Sequence, residues 1–109
     1  MNRSRLIPLA VLSLLSSAAP AAQVVSDWGK IAVLSTGWIQ DSMAVTTTAP
    51  TVDPGCPVLN AGYATNPSDP GHSLHHAVLL AAFLNNREVQ IIADGCAYEK
   101  PRIISVIVR

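Results

Sequence analysis

The sequence predicts a small, mainly β domain with one helix, in the order strand, strand, strand, helix, strand, strand. Five short segments rich in β-branched and other apolar residues are separated by turn residues, a pattern typical of strands. A segment between the third and fourth strands instead carries apolar residues at helical spacing. The 88 residues that remain of the 109 once a predicted signal peptide at 1–21 is removed suffice for one such domain and not for two.

The first two strands are predicted to form a hairpin. Lys30 to Gln40 alternates its side chains between two faces, and Gly37 is expected to bend or bulge this strand. Gln40-Asp41-Ser42 is a polar turn, and Met43 to Thr48 follows as a β-branched strand.

The third strand is predicted to be short. Ala49 to Pro57 is rich in proline and is therefore expected to be a loop. Leu59 to Thr65 follows as a strand around Tyr63, although Gly62 weakens its pattern. Asn66 to Gly71 is then a dense cluster of turn residues.

The helix is predicted from about His72 to Leu84. We expect Ser68 or Asp69 to cap its start and Asn85-Asn86 to end it. Its apolar residues lie nearly all round the axis, and they include Phe83, which we expect in the core. One side can cover the sheet, so the other side is expected to face a second subunit.

The last two strands follow the helix. Glu88 to Asp94 alternates as the fourth strand, and Gly95 to Pro101 is expected to turn the chain. Arg102 to Val108 is the fifth strand, and both of its faces are apolar. A strand that is apolar on both faces is expected to be covered on two sides.

The N-terminus has the features of a secretory signal peptide. Arg3 and Arg5 precede an apolar run from Leu6 to Leu15, which is too short to span a membrane as a helix. Ala19-Pro20-Ala21 offers a cleavage site with the break before Ala22. We therefore expect a signal peptide at 1–21, a single domain at 22–109, no membrane span after cleavage, and a secreted or periplasmic location.

Cys56 and Cys96 are the two cysteines of the chain. After export they would lie in an oxidising compartment, which favours a disulfide over two free thiols or a shared metal. On the loop-entropy model such a bridge stabilises the fold by about 4 kcal/mol. A domain this small has a marginal core, so the bridge and association with other chains are both expected to support it.

The charges argue against a nucleic-acid ligand. Seven Lys or Arg residues balance seven Asp or Glu residues in the whole chain. Loss of Arg3 and Arg5 with the signal peptide leaves a slightly acidic domain. Without a basic patch, binding to a phosphate backbone has no electrostatic support.

No residue set in the sequence is typical of catalysis. His72, His75 and His76 can share one face of the helix, and two of them could bind zinc, but the HExxH pattern is absent. We expect these histidines to be solvated at the start of the helix. Ser35 and Ser105 lack a surrounding G-x-S-x-G motif. We predict no catalytic residue, no metal site and no cofactor.

The order of elements, with one helix between the third and fourth of five strands, is that of the OB-fold. Leu80 to Ile92, Gly95-Cys96, and Pro101 to Ile104 form a pattern of apolar helix, short turn, valine-led strand, turn and proline-led last strand. Leu34 to Gly37 adds a strand that ends in Ser-Thr-Gly. This pattern resembles small exported bacterial OB-fold proteins similar to the B subunit of subtilase cytotoxin.

The resemblance implies a small five-stranded, OB-like Greek-key barrel. It also implies a non-enzymatic, toxin B subunit-like homo-oligomer, with a pentamer as one form, whose helices face a central channel and whose barrels bind cell-surface glycans. In the toxin subunit a Ser and a Tyr contact the sugar. Asp27 and Ala93 stand at those positions here, so this chain departs from that pair.

The candidate ligand-binding residues are Asp27, Trp28, Trp38 and Tyr98. Exposed aromatic rings stack on sugars or on partner chains, although a small barrel can equally use a tryptophan to close its end. The alternative function is a periplasmic envelope accessory or inhibitor protein that docks another protein through the edge of the final strand.

Overall fold

The computed structural model describes residues 23–37 and 39–109, so the predicted signal peptide and Trp38 lie outside the described residues. The described chain is mainly β with one helix. The strands are Val24–Val25 (β1), Gly29–Thr36 (β2), Met43–Thr47 (β3), Tyr63–Ala64 (β4), Glu88–Ala97 (β5) and Lys100–Val108 (β6), and the helix is His72–Leu84 (α1).

The strands form a mixed sheet that closes on itself. β2 pairs with β3 and β3 with β4, both antiparallel, and β4 then pairs with β6 in parallel at Ala64 and Arg102. β6 pairs antiparallel with β5, which returns to β2 at Gly29 and Val89. β1 extends the same edge of β5 through Val24 and Ala93. The helix therefore lies between β4 and β5 along the chain.

The predicted count of five strands is wrong, because six are present among the described residues. The additional strand is Val24–Val25, which is too short for an alternating pattern and is ordered by its pairing with β5. The predicted hairpin of β2 and β3 is confirmed. Its irregularity lies between Ile31 and Val33 rather than at Gly37, where the chain instead enters the turn.

The predicted helix boundaries are confirmed, but the predicted N-terminal cap is wrong. Gly71 occupies the N-cap position without a side-chain hydrogen bond. Asp69 is not free to cap, because its carboxylate accepts hydrogen bonds of 2.9 and 3.0 Å from Nη1 of Arg102. At the other end Asn86 adopts the expected left-handed conformation, with φ 54°, and Asn85 is the C-cap.

The core lies between the inner faces of the strands and one side of α1. The helix contributes two fully buried side chains, Leu79 and Ala82. Phe83 was expected in the core and is 43% exposed, because the sheet covers only the side that bears Leu79 and Ala82. The remaining members of the buried cluster are Ile31, Val45, Tyr63, Val89, Ile91, Ala93 and Ile103.

The last strand is only partly covered, contrary to the prediction. Ile103 is fully buried, whereas Ile107 and Val108 are 40% and 38% exposed. The strand begins earlier than predicted, at Lys100, because β5 and β6 stay paired up to a two-residue turn. The exposed end of the β5–β6 hairpin is therefore the end far from this turn.

The predicted disulfide is confirmed. Cys56 and Cys96 are bonded, with sulfur atoms 2.03 Å apart, and the bond ties the loop after β3 to the end of β5. In 23–37 and 39–109, no helix has the length and apolar character needed to cross a membrane.

Candidate functional site

A cavity of about 400 Å³ opens between the β2–β3 turn and the β5–β6 turn. Four strands and both turns contribute to its wall, which is mostly apolar with a smaller polar part. The residues that line it are Ser35, Thr36, Gly37, Ile39, Gln40, Ser42, Ala44, Ala64, Tyr98 and Lys100.

The side chains of this cavity are suited to binding. Ile39 and Tyr98 supply exposed apolar surface, and Ser35 and Thr36 supply exposed hydroxyl groups. Lys100 is the charged residue in the described part of the lining. A cavity that combines apolar surface with a few polar groups is the usual form of a small-ligand site.

Tyr98 lines this cavity and has an unusual backbone conformation. Tyr98 and Glu99 form the two-residue turn between β5 and β6, and their φ angles are +53° and +67°. Such a turn normally carries Asn-Gly, because positive φ costs other residues about 1–2 kcal/mol each. Backbone strain of this kind clusters at functional sites.

Two contacts hold the strained turn in place. The carbonyl of Glu99 accepts a 3.0 Å hydrogen bond from the backbone N–H of Val58. The disulfide joins Cys96, two residues before Tyr98, to the same loop. Tyr98 is half exposed, so its ring is open to solvent while these two contacts hold the backbone of the turn.

The opposite wall of the cavity is the β2–β3 turn, which buried polar groups fix to β4. The backbone N–H of Gly37 donates to the carbonyl of Ser42 at 2.6 Å. The hydroxyl of Ser42 donates to the carbonyl of Thr65 at 2.8 Å. Thr65 Oγ1 in turn accepts a 2.8 Å hydrogen bond from the backbone N–H of Met43.

The three histidines at the start of α1 are partly buried, and two of them, His72 and His76, make side-chain hydrogen bonds, so they are not simply solvated. His72 Nε2 lies 2.8 Å from Asp41 Oδ2, and His76 Nε2 lies 2.7 Å from Thr65 Oγ1. Burial lowers the pKa of His75 and His76, whereas hydrogen bonds raise the pKa of His72. Across the described ranges, no three His, Cys, Asp or Glu side chains are grouped to hold a metal ion.

The structure does not bring the predicted ligand residues together. Asp27 and Trp28 lie next to the start of β5, whereas Tyr98 follows its far end. Trp28 is half-buried, and the guanidinium carbon of Arg109 lies 4.2 Å from the centroid of its ring. That contact occupies one face of the ring with a cation. Trp38 falls outside the described residues.

The position that would carry the toxin-like tyrosine is closed to a ligand. Ala93 is fully buried in the core, and Asp27 is exposed on the surface. A ligand that contacts Asp27 therefore cannot also contact Ala93. The cavity at Tyr98 is a separate location.

The side of α1 that faces away from the sheet is apolar and exposed. We call this surface the outer face; it consists of Leu74, Ala77, Leu80, Ala81 and Leu84, with Phe83 at its edge. Leu74 and Leu84 are each 70% exposed, and Leu80 is 46% exposed. A second cavity, of about 390 Å³, borders this face beside Val78 and Val108.

Sequence reasoning found Tyr98 but missed the other residues of the cavity. Ser35 and Thr36 end one strand, Ala44 lies on the next, and Ala64 and Lys100 lie on two more. No local pattern joins these positions. The parallel pairing of β4 with β6 brings them together.

Comparison with known proteins adds no relative. A scan against protein-family models finds no match, and neither does a search of curated proteins or a search of solved structures.

Proposed function

We propose that the mature chain is an exported, non-enzymatic binding module that recognises a glycan in the cavity lined by Tyr98. The observation that carries this proposal is the half-exposed Tyr98 ring, held at positive φ beside a cavity of about 400 Å³. An aromatic residue in a strained turn costs stability, and presentation of the ring to a ligand explains why it is placed there.

The lining of the cavity suits a sugar ring. A pyranose has an apolar face of C–H groups and a rim of hydroxyls. Tyr98 and Ile39 match the apolar face, and Ser35, Thr36 and Gln40 provide hydrogen-bond donors and acceptors for the rim.

The strand pairing supports an OB-like barrel as the framework of this module. Five strands form a closed circuit of pairings in the order β2, β3, β4, β6, β5 and back to β2. Along the chain, β4 and β6 are the third and fifth of these five strands, and they pair in parallel. The helix comes between β4 and β5, as in that fold. β1 is then an addition to the barrel rather than a member of it. The Cys56–Cys96 bond supports export, because disulfides are typical of oxidising compartments.

The outer face of α1 supports an oligomer. It exposes several large apolar side chains, including Leu74, Leu80 and Leu84, and it carries no Asp, Glu, Lys or Arg. Contiguous apolar surface of this kind is typical of a protein–protein interface. We propose that copies of the chain cover this face in a ring, for which a pentamer is one arrangement.

A glycan array with the mature protein tests the ligand class. Tyr98→Asn is the decisive variant, because asparagine tolerates positive φ better than tyrosine and should not lower the free energy of unfolding. We expect this variant to lose at least about tenfold in affinity, the loss expected from one stacked ring of about 1.4 kcal/mol. Glu99→Asn, which relieves the same strain outside the cavity lining, is the control and should keep binding.

Unchanged glycan binding in Tyr98→Asn would refute the cavity as the site. No bound glycan for the wild-type protein would refute the glycan proposal itself.

The far end of β6 favours a second function, docking of another protein. Within the described residues, β4 pairs with β6 at Ala64 and Arg102 alone, and Ile107 and Val108 are exposed beyond that point. A partner could add a strand at this edge. Docking there does not need Tyr98, so a partner that binds wild type and Tyr98→Asn equally would favour this function.

A further inference from the structure

Side chains connect the β2–β3 turn, one wall of the cavity, to the start of α1. Asp41 lies in this turn, between the lining residues Gln40 and Ser42. Its Oδ2 atom is 2.8 Å from His72 Nε2, and its Oδ1 atom is 4.0 Å from His76 Nδ1. The position of the cavity wall is therefore coupled to His72 and His76.

The contacts of His72 require a particular protonation state. Its Nε2 faces the Asp41 carboxylate, and its Nδ1 lies 2.8 Å from the backbone carbonyl oxygen of Asp69. Both partners are acceptors only, whereas a neutral imidazole has one N–H group. Both hydrogen bonds can form together only when His72 is the doubly protonated imidazolium.

Other charged and titratable groups surround this ring. The Asp69 carboxylate favours a positive His72, although Arg102 already binds that carboxylate. His75 and His76 lie on the same helix, and burial keeps their pKa values low. The positive end of the helix also disfavours a cation at this place. The two hydrogen bonds to His72, together with the Asp41 charge, work against that penalty.

We infer that His72 and Asp41 form a latch that holds the β2–β3 turn in acid and loosens in alkali, so that the cavity binds its ligand more tightly in mildly acidic medium. The ligand part of this inference rests on the proposed function. The latch itself does not.

The pH range in which the latch is closed follows from the pKa shifts of His72 and Asp41. The pKa of His72 is raised, by its bond to the Asp69 carbonyl first and to Asp41 second, so the latch is complete below about pH 6.5 and is lost as pH rises through the raised value. The pKa of Asp41 is lowered, chiefly by the hydrogen bond from His72, so the carboxylate survives to below about pH 4. Between about pH 4 and about pH 6.5 both groups are therefore charged and the latch is closed.

The pKa shifts of His75 and His76 are opposite in direction to that of His72. Their lowered pKa values mean that protonation destabilises the fold as pH falls below about 6.5. Global unfolding therefore mixes the two effects, and the latch needs a local measurement.

NMR on the mature, disulfide-bonded protein supplies that measurement without any ligand. We expect the imidazole nitrogens of His72 to titrate above pH 6.5, and the amides of Gln40 and Ser42 to shift with the same midpoint. Asp41→Asn keeps the size of the side chain but removes its charge, and it should lower the His72 midpoint and abolish the shift of the turn amides. His75→Gln is the control, because no contact joins His75 to Asp41, and it should leave the latch unchanged.

A His72 midpoint at or below about 6.5, or equal midpoints in wild type and Asp41→Asn, would overturn the latch. The second arm measures the array glycan with the strongest signal at about pH 5.5 and about pH 8. We expect at least about fivefold tighter binding at the lower pH in wild type and none of this difference in Asp41→Asn. Equal affinities at both pH values would overturn the coupling, whereas a blank array would refute the proposed function and leave the NMR result to decide the latch.

Discussion

Among single residues, Tyr63 links the core to the proline-rich loop. Its ring is completely buried, and its hydroxyl oxygen accepts a 2.9 Å hydrogen bond from the backbone N–H of Val52. Burial raises the pKa of this phenol, so the hydroxyl stays neutral near physiological pH. The loop that carries Cys56 thus has a polar anchor in addition to the disulfide.

Tyr63→Phe tests this anchor. The substitution keeps the buried ring and leaves the Val52 N–H without its partner, so we expect the free energy of unfolding to fall by about 1–3 kcal/mol. Urea denaturation measures the change. Tyr98→Phe removes a hydroxyl from an exposed ring and should have an effect within about 0.5 kcal/mol. Equal effects of the two substitutions would contradict the assigned role.

At the scale of elements, the approach to β4 depends on one glycine. Gly62 has φ +81°, and a β carbon there would collide with the backbone carbonyl oxygen of Val45 on β3. Gly95, on β5, has a similar φ of +69°, but a β carbon there would only touch the Arg102 side chain at an ordinary 3.7 Å. Alanine substitutions at Gly62 and Gly95 therefore separate the energetic cost of left-handed backbone from the cost of the collision with Val45.

We expect Gly95→Ala to lower the free energy of unfolding by about 1–2 kcal/mol, the cost of left-handed backbone for alanine. Gly62→Ala should cost about 1–3 kcal/mol more, because β3 and β4 must also move apart. Thermal unfolding of both variants, monitored by circular dichroism, provides the comparison. If Gly62→Ala were no less stable than Gly95→Ala, the close approach of β3 and β4 would be wrong.

The elements that the sequence predicted correctly are those with a strong local signal. The helix over His72–Leu84 and the strand Met43–Thr47 follow from apolar spacing and β-branched residues. Val24–Val25 was missed because its order comes from pairing with β5, which lies far along the chain. The sequence predicted the turn and indicated Tyr98 as a candidate ligand residue, but it did not predict the left-handed backbone at Tyr98 and Glu99, because neither residue is the Asn or Gly that signals positive φ.

For the whole molecule, the distribution of apolar surface is the dominant feature. The core is small and includes only two fully buried residues of α1, Leu79 and Ala82. The outer face of the same helix stays in contact with water, and it is free of Asp, Glu, Lys and Arg side chains. A domain of this size is only marginally stable. Burial of the outer face in an interface would therefore stabilise the protomer as well as drive its assembly.

Light scattering on the mature protein at micromolar concentration tests that assembly, and we expect a mass that is a multiple of the protomer. Covering a leucine side chain is worth about 1.5–3 kcal/mol, so Leu74→Gln with Leu84→Gln should weaken association at least about tenfold. Because both side chains are 70% exposed in the protomer, the double variant should stay folded. Val25→Gln changes an equally apolar residue, 52% exposed on β1, and should leave the mass unaltered. A monomeric wild-type protein would remove the outer face as an interface between copies, and a shifted mass in Val25→Gln alone would move the interface to β1.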